Sequence, residues 1–148
     1  MRNEAGSTLI EVLVALLVLS IGLVGLAALQ SNGLKFNHSS YLRTQSTVLM
    51  YDIIDSMRAN SVVARKTNCY VVGIGGTVPT CETMATDDIN NWKTSLANQL
   101  PSGDGAVTSK INAGGRRVYT VSVQWQDREY DQESGAPVTK TFTIDAEI

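Results

Sequence analysis

The sequence predicts an α+β protein, in which a long N-terminal α-helix packs on a small antiparallel β-sheet head that also carries one short helix. Residues 12–29 contain no ionisable side chain, and no proline precedes Pro79, so one helix can run from about Ser7 to Asn60. From about residue 118 the apolar side chains recur with a period of two, which is typical of half-buried strands. We therefore expect the helix first and the sheet last.

The composition argues against a protein held on nucleic acid by its overall charge. The chain has 148 residues, a net charge of −2 and a pI near 5.3. Two dibasic pairs, Arg65–Lys66 and Arg116–Arg117, could contact DNA or another anionic surface, but no aromatic residues are interleaved with them. Nucleic acid is therefore not a predicted partner.

The apolar run from Val12 to Leu29 is about 27 Å long as a helix, which is close to the hydrocarbon thickness of a bilayer. A cleaved secretory signal and an ordinary single-pass anchor both explain an apolar run, but neither explains the carboxylate of Glu11 at its start. Cleavage after Gly6 does explain it. Ser7 would then provide a new α-amine one turn away, on the same chain or on a neighbour, to pair with that carboxylate.

The stretch "GSTLIEV", followed by an apolar helix, resembles the class III signal of type IV prepilins. In that family a membrane peptidase cuts after the glycine and methylates the new N-terminal residue. The resemblance implies cleavage between Gly6 and Ser7, N-methylation of Ser7, and a role for Glu11 in subunit register. It also places the N-terminus in the cytoplasm. Ser7 stands where major pilins usually have Phe, and the short leader carries Glu4 where the family favours basic residues.

The second half of the predicted helix, residues 31–60, is amphipathic and is expected to cover the sheet of the head. Its predicted buried stripe consists of Leu42, Ser46, Leu49, Ile53 and Met57, widened by Val48, Met50 and Ile54. Three glycines, Gly22, Gly25 and Gly33, interrupt the helical pattern. They indicate either close helix packing in the membrane or a stretch that can unwind locally.

The stretch "YLRTQSTVLMYDIIDSMRAN" is similar to the stalk of the pilus-modification (PilV) class of minor pilins, in which a D-x-x-R-A-N-like helix end is common. Asp55 and Arg58–Asn60 match that pattern. Major pilins usually have a helix-bending proline near the position of Ala28, and its absence here fits a minor subunit.

In the head, residues 62–81 are expected to form a loop with short extended pieces. A helix is predicted within "TDDINNWKTSLANQL", capped by Thr86 or Asp87 and ended by Pro101 and Gly103, with Ile89, Trp92, Leu96 and Leu100 buried. A three-stranded meander follows. Its strands are Ala106–Ile111, a segment with Tyr119, Val121, Val123 and Trp125 on one face, and a segment with Val138, Phe142, Ile144 and Ala146 on one face. Lys140 interrupts the last face and indicates an edge strand.

Cys69 and Cys81 are either free buried thiols or a disulfide, and a periplasmic head favours the disulfide. Zinc is not expected, because the lone His38 lies far off on the stalk, where it is interpreted as a surface residue without a catalytic role. The alternating acids Asp127, Glu129, Asp131 and Glu133 fail the EF-hand spacing and are interpreted as a solvated hairpin loop. No catalytic residue, metal or cofactor is predicted.

The predicted organisation is a leader (1–6), a membrane and filament-core helix (7–30), a stalk helix (31–60) and a periplasmic head (61–148). By resemblance the chain would be a minor type IV pilin, a non-enzymatic subunit of the inner membrane and then of the pilus, which helps to initiate assembly and supports twitching motility, adhesion or DNA uptake. Its partners would be the prepilin peptidase, other minor pilins, the major pilin and the inner-membrane assembly platform. The alternatives are a type II secretion pseudopilin and a single-pass periplasmic binding domain.

Overall fold

The computed structural model describes residues 8–130 and 134–148, and it confirms the predicted α+β class. Its elements in chain order are the helices α1 (Leu9–Ala59), α2 (Ser61–Lys66) and α3 (Thr83–Gln99), followed by the strands β1 (Asp104–Ile111), β2 (Arg117–Tyr130) and β3 (Pro137–Glu147). The chain divides into two compact units at a point inside α1, the first ending at His38 and the second running from Ser39 to Ile148.

The described part of the first unit is a single helical segment without an internal core. Its large apolar side chains between Leu9 and Leu29 are 48% to 85% exposed. The one hydroxyl in the uncharged run, that of Ser20, donates to the carbonyl oxygen of Leu16 at 2.7 Å. The segment therefore satisfies its own polar groups while it exposes apolar surface, which is what a helix in lipid requires.

In the second unit, α1 buries the predicted stripe against the head. Leu42, Ser46, Leu49, Ile53 and Met57 are all buried, as are Met50 and Ile54. The prediction was wrong for Val48, which is 56% exposed. At about 100° per residue, Val48 lies about 140° around the helix from Ile53, so it cannot share the buried face.

The predicted loop is confirmed from Thr67 onward, where Val72 forms an isolated antiparallel bridge with Val107, but the first part of the segment differs from the prediction. Ser61–Lys66 form a short helix, α2, whose buried residue is Ala64. The hydroxyl of Tyr119 on β2 donates to the carbonyl oxygen of Ala64 at 2.6 Å, in a buried position. Because this bond satisfies a carbonyl near the end of α2, the head itself stabilises a helix that six residues could not maintain alone.

The predicted caps of helix α3 are wrong, because α3 begins at Thr83, before both Thr86 and Asp87. Its N-cap is Glu82, whose side chain accepts a hydrogen bond from the amide of Ala85 at 3.3 Å. Thr86, one of the predicted caps, instead donates to the carbonyl oxygen of Pro79 at 3.1 Å and accepts from the amide of Cys81 at 3.2 Å. The Thr86 hydroxyl therefore stabilises the loop that precedes α3. The predicted buried residues Ile89, Trp92, Leu96 and Leu100 are confirmed.

The strands form the predicted antiparallel meander in the order β1-β2-β3. Val107 on β1 pairs with Val121 on β2, and Phe142 on β3 pairs with Val123, so the apolar side chains of the three strands share one face. This face and the inner stripe of α1 belong to one hydrophobic cluster. Strand β3 is at an edge, as Lys140 indicated.

Strand β2 extends further than predicted and includes Asp127. Asp127 is only 7% exposed, and its carboxylate accepts a hydrogen bond from the Ser39 hydroxyl at 2.7 Å. The expectation of a solvated loop is therefore wrong at this residue, because the period of two continues past Trp125 and directs Asp127 inward. Asp131, Gln132 and Glu133 lie outside the described residues.

Candidate functional site

The first candidate site is the start of α1. The predicted cleavage and methylation residues, Gly6 and Ser7, lie outside the described residues, which begin at Thr8. Glu11 is in the first turn of α1, where its backbone amide donates to the carbonyl oxygen of Thr8 at 3.0 Å and meets the Thr8 hydroxyl oxygen at 3.4 Å. The spacing Thr8-x-x-Glu11 is that of a capping box, a signal that the sequence analysis missed.

Glu11 is exposed and lies where the helix dipole favours negative charge. A carboxylate there supports the helix start, and it also remains available to a cation from another group. The local geometry thus gives Glu11 one role within the helix without engaging its charge in an ion pair within the described residues.

The apolar surface that follows Glu11 is continuous. Of the described residues, α1 is the one helix long and apolar enough to cross a membrane, with a mean hydropathy of 2.9 over its best 18-residue window and none of that window buried. Leaving a Leu, Ile or Val side chain in water forfeits roughly 1.5–3 kcal/mol. A dozen such residues in one segment therefore require lipid or the helices of other subunits as a cover.

No contact among the described residues explains the three glycines of α1. A Cβ placed on Gly22, Gly25 or Gly33 would meet no atom within 4 Å, and all three residues are helical. Their small size therefore matters either where another helix approaches or where the helix must unwind. Both alternatives from the sequence stay open.

The D-x-x-R-A-N stretch forms the junction between the stalk and the head. Arg58 pairs with Asp55 at 2.9 Å, but both side chains are more than half exposed, so this pair adds little stability. Asn60 is more important, because its side-chain amide donates to the Tyr70 hydroxyl at 3.2 Å and to the Glu82 carboxylate at 3.3 Å. It therefore links the end of α1 to the cysteine loop and to the cap of α3.

Tyr70 extends this junction. It is fully buried, and its hydroxyl donates to the Asp88 carboxylate on α3 at 2.5 Å. Burial, and after it the hydrogen bond to Asp88, raise the pKa of the Tyr70 hydroxyl well above its ordinary value. The hydroxyl is therefore a permanent donor at physiological pH and serves a structural role.

Cys69 and Cys81 are joined as a disulfide with their Cα atoms 5.6 Å apart. The bridge closes the loop that leads from α2 to α3. Cys69 is 7% exposed, whereas Cys81 is on the surface. The disulfide therefore joins the buried start of the loop to its exposed end.

A polar cluster that no sequence pattern indicated stabilises the middle of this loop. Lys93 on α3 pairs with Asp104 at the start of β1 at 2.6 Å and also donates to the carbonyl oxygen of Gly73 at 2.9 Å. The amides of Gly75 and Gly105 donate to the Asp104 carboxylate at 2.5 and 2.7 Å. Burial raises the pKa of Asp104, but the bonds from Lys93, Gly75 and Gly105 outweigh it, so that the pKa lies below its ordinary value.

The remaining candidates from the sequence are not brought together into a reactive centre. In the stretches 8–130 and 134–148, no three His, Cys, Asp or Glu side chains are grouped so that they could hold a metal ion. His38 is half-buried at the end of the first unit. Glu129, from the acidic stretch, pairs with Lys140 across the strands at 2.7 Å.

Comparison with known families identifies the N-terminal segment. Residues 1–27 match the family model described as the prokaryotic N-terminal methylation motif. This match includes Gly6, Ser7 and Glu11 and supports a pilin-like protein. A search of curated proteins and a search of solved structures each returned no match. The chain therefore carries a type IV pilin-type signal at the head of an exposed apolar helix.

Proposed function

We propose that this protein is a minor type IV pilin, a structural subunit without enzymatic activity. The observation that carries the proposal is a methylation motif whose apolar helix is not buried by the described residues and continues into a stalk packed on a folded head. In this proposal residues 1–6 are the leader, 7–30 the membrane and filament-core helix, 31–60 the stalk and 61–148 the periplasmic head. The disulfide in the head fits an oxidising compartment.

Processing by the prepilin peptidase would precede assembly. The enzyme would cut between Gly6 and Ser7 and methylate the Ser7 amine, and that amine would meet the Glu11 carboxylate of a neighbouring subunit. A neighbour displaced by one helical turn moves about 5.4 Å and loses the contact, so the pair would select one axial register. Glu11 would then serve both the helix start and subunit register.

The stalk supports assembly through its outer face. Tyr41, Val48 and Tyr51 are 59%, 56% and 50% exposed, and they follow helical spacing on the side of α1 opposite the buried stripe. Exposed Asp52 and Asp55 lie on the same side, so this face offers both apolar and charged groups to the helix of another subunit. Other minor pilins and the major pilin would supply that helix, and the inner-membrane platform would bring them together.

The D-x-x-R-A-N junction supports the narrower assignment to the pilus-modification (PilV) class. In that role the protein would help to initiate pilus assembly and would support twitching motility, adhesion or DNA uptake. A type II secretion pseudopilin is the competing function, since the methylation motif supports it equally. The genes beside this one would distinguish the two, because each system is built from its own set of components.

The experiment that tests the proposal measures where the protein resides. Wild type, Glu11→Val and Glu11→Gln are expressed in the native cells, and each protein is measured in the membrane fraction and in sheared filaments. We expect wild type in both fractions, Glu11→Val in the membrane alone, and Glu11→Gln between them, because glutamine keeps hydrogen bonding but loses the charge.

Asp87→Val is the matched control, since it removes an exposed carboxylate from the head and should leave the ratio of filament to membrane protein unchanged. Wild-type protein that never appears in sheared filaments would contradict the pilin function and favour a single-pass periplasmic domain. Normal recruitment of Glu11→Val would contradict the proposed role of Glu11 alone.

A further inference from the structure

Arg65 and the adjacent residues Arg116 and Arg117, which are distant from it in the sequence, meet around one cleft in the head. The cleft has a volume of about 450 Å³ and is lined by Arg65 at the end of α2, Arg116 and Arg117 at the start of β2, Glu147 at the end of β3, and the apolar side chain of Ile111. In the sequence Arg65 belongs to one dibasic pair and Arg116 and Arg117 form another, and nothing in their spacing indicates that they share a cleft. The fold therefore creates a basic site that the sequence pattern alone does not reveal.

The positive charge of the cleft is only partly compensated. Arg116 pairs with the Glu147 carboxylate, the one acidic side chain among the lining residues. Within the described ranges, Arg65 and Arg117 make no ion pair with a carboxylate. Arg65 and Arg117 therefore line the cleft, together with the C-terminal residue Ile148, without a paired carboxylate in the described ranges.

Arg117 is held in place by neutral acceptors. Its Nε donates to the carbonyl oxygen of Arg65 at 3.2 Å, and its Nη1 donates to the Asn68 side chain at 2.6 Å and to the Ser109 hydroxyl at 3.0 Å. These bonds fix the guanidinium plane without neutralising its charge. A fixed, uncompensated guanidinium binds an oxyanion with little loss of side-chain entropy.

We propose that this cleft binds a small organic molecule that carries phosphate or carboxylate groups. Its volume lies within the roughly 300–1,000 Å³ of typical ligand sites, and Ile111 supplies an apolar wall beside the cations. A small ligand fits better than nucleic acid, because Glu147 interrupts the positive surface and the chain as a whole has a net charge of −2. The proposal is independent of the assembly function.

The test is a calorimetric titration of the full chain in neutral detergent micelles at fixed ionic strength, with pyrophosphate in one arm and citrate in the other. We expect saturable binding of at least one anion, and the stronger arm identifies phosphate or carboxylate as the preferred group. Arg65→Gln should weaken that binding about tenfold, which corresponds to about 1.4 kcal/mol for one charge-assisted hydrogen bond.

Lys66→Gln is the matched control, because Lys66 is adjacent, exposed and equally charged but does not line the cleft. Its affinity should stay within about twofold of wild type, since its charge acts only through screened solvent. Arg117→Gln should weaken binding at least as much as Arg65→Gln. If Arg117→Gln also lowers the unfolding temperature, the comparison of Arg65→Gln with Lys66→Gln decides whether the cleft binds the anion.

Three results would overturn the proposal. One is the absence of saturable binding in both arms. Another is an equal weakening in Arg65→Gln and Lys66→Gln, which would indicate a diffuse charge effect. The third is a thymidine oligonucleotide that binds more tightly than either small anion, with an affinity that grows with its length, which would indicate a nucleic-acid surface instead.

Discussion

The disulfide between Cys69 and Cys81 should contribute a measurable share of the stability of the head. The two residues are 12 apart, so the bridge closes a loop worth about 3 kcal/mol in the chain-entropy account. Cys81→Ser removes the bridge at an exposed end and should cost about that amount. Cys69→Ser should cost about 1–3 kcal/mol more, because it also places a hydroxyl at a site that is only 7% exposed.

The assay is urea unfolding of the full chain in neutral detergent, followed by near-ultraviolet circular dichroism of the buried tryptophans in the head, Trp92 and Trp125. Wild type treated with a reductant should reproduce Cys81→Ser, and the double variant should match Cys69→Ser. The reasoning is refuted if Cys81→Ser unfolds at the same urea concentration as oxidised wild type. It is also refuted if the two single variants are equally stable, since burial would then not distinguish them.

Two further predictions concern the contacts of β1. Gly105→Ala should destabilise the head by about 1–3 kcal/mol, because its Cβ would lie 2.4 Å from the Trp92 ring, whereas Gly73→Ala meets open space and should change urea unfolding little. The Asp104 carboxylate has a lowered pKa in the folded chain, so its contribution is present above the ordinary value of 3.8 and is lost as the pH falls through the folded value. The difference in unfolding free energy between wild type and Asp104→Asn should therefore shrink from about pH 5 to about pH 2, and a difference independent of pH would contradict the role of the Lys93 pair.

The elements that the sequence predicted well are those with a sustained period. The inner stripe of α1 runs over four turns from Leu42 to Met57, and the alternation around Val121 and Val123 runs along a whole strand. In each case burial of one face dominates the free energy of folding, so the pattern of apolar residues determines the secondary structure. Val48 was assigned to the stripe by its apolar character, although its position about 140° around the helix from Ile53 places it off the buried face.

The features that were missed depend on contacts between distant residues. Helix α2 is a single short helix, and its Val-rich sequence favours extended structure in isolation. Its carbonyl at Ala64 is satisfied by Tyr119, which lies 55 positions further along the chain. The Lys93–Asp104 cluster and the arginine cleft also join residues from different elements, so no local spacing in the sequence predicts them.

At the N-terminal site the sequence is more informative than the structure. In the proposed function an enzyme reads the motif around Gly6 and Ser7 as a linear segment, so the sequence and the match to residues 1–27 carry more information than the fold does. The structure adds the contact between the Glu11 backbone amide and the Thr8 hydroxyl, so that Thr8 caps the start of the helix.

The intact mass and the N-terminal residue of the mature protein test the central claim most directly. Purified from the membranes of its native cells, the wild-type chain should lack Met1–Gly6, begin at Ser7 and carry one added methyl group on its amine. Gly6→Val should retain the leader, because the branched side chain obstructs the scissile bond. A mature wild-type chain that begins at Met1, or near Gln30 after cleavage as a secretory signal, would contradict the account.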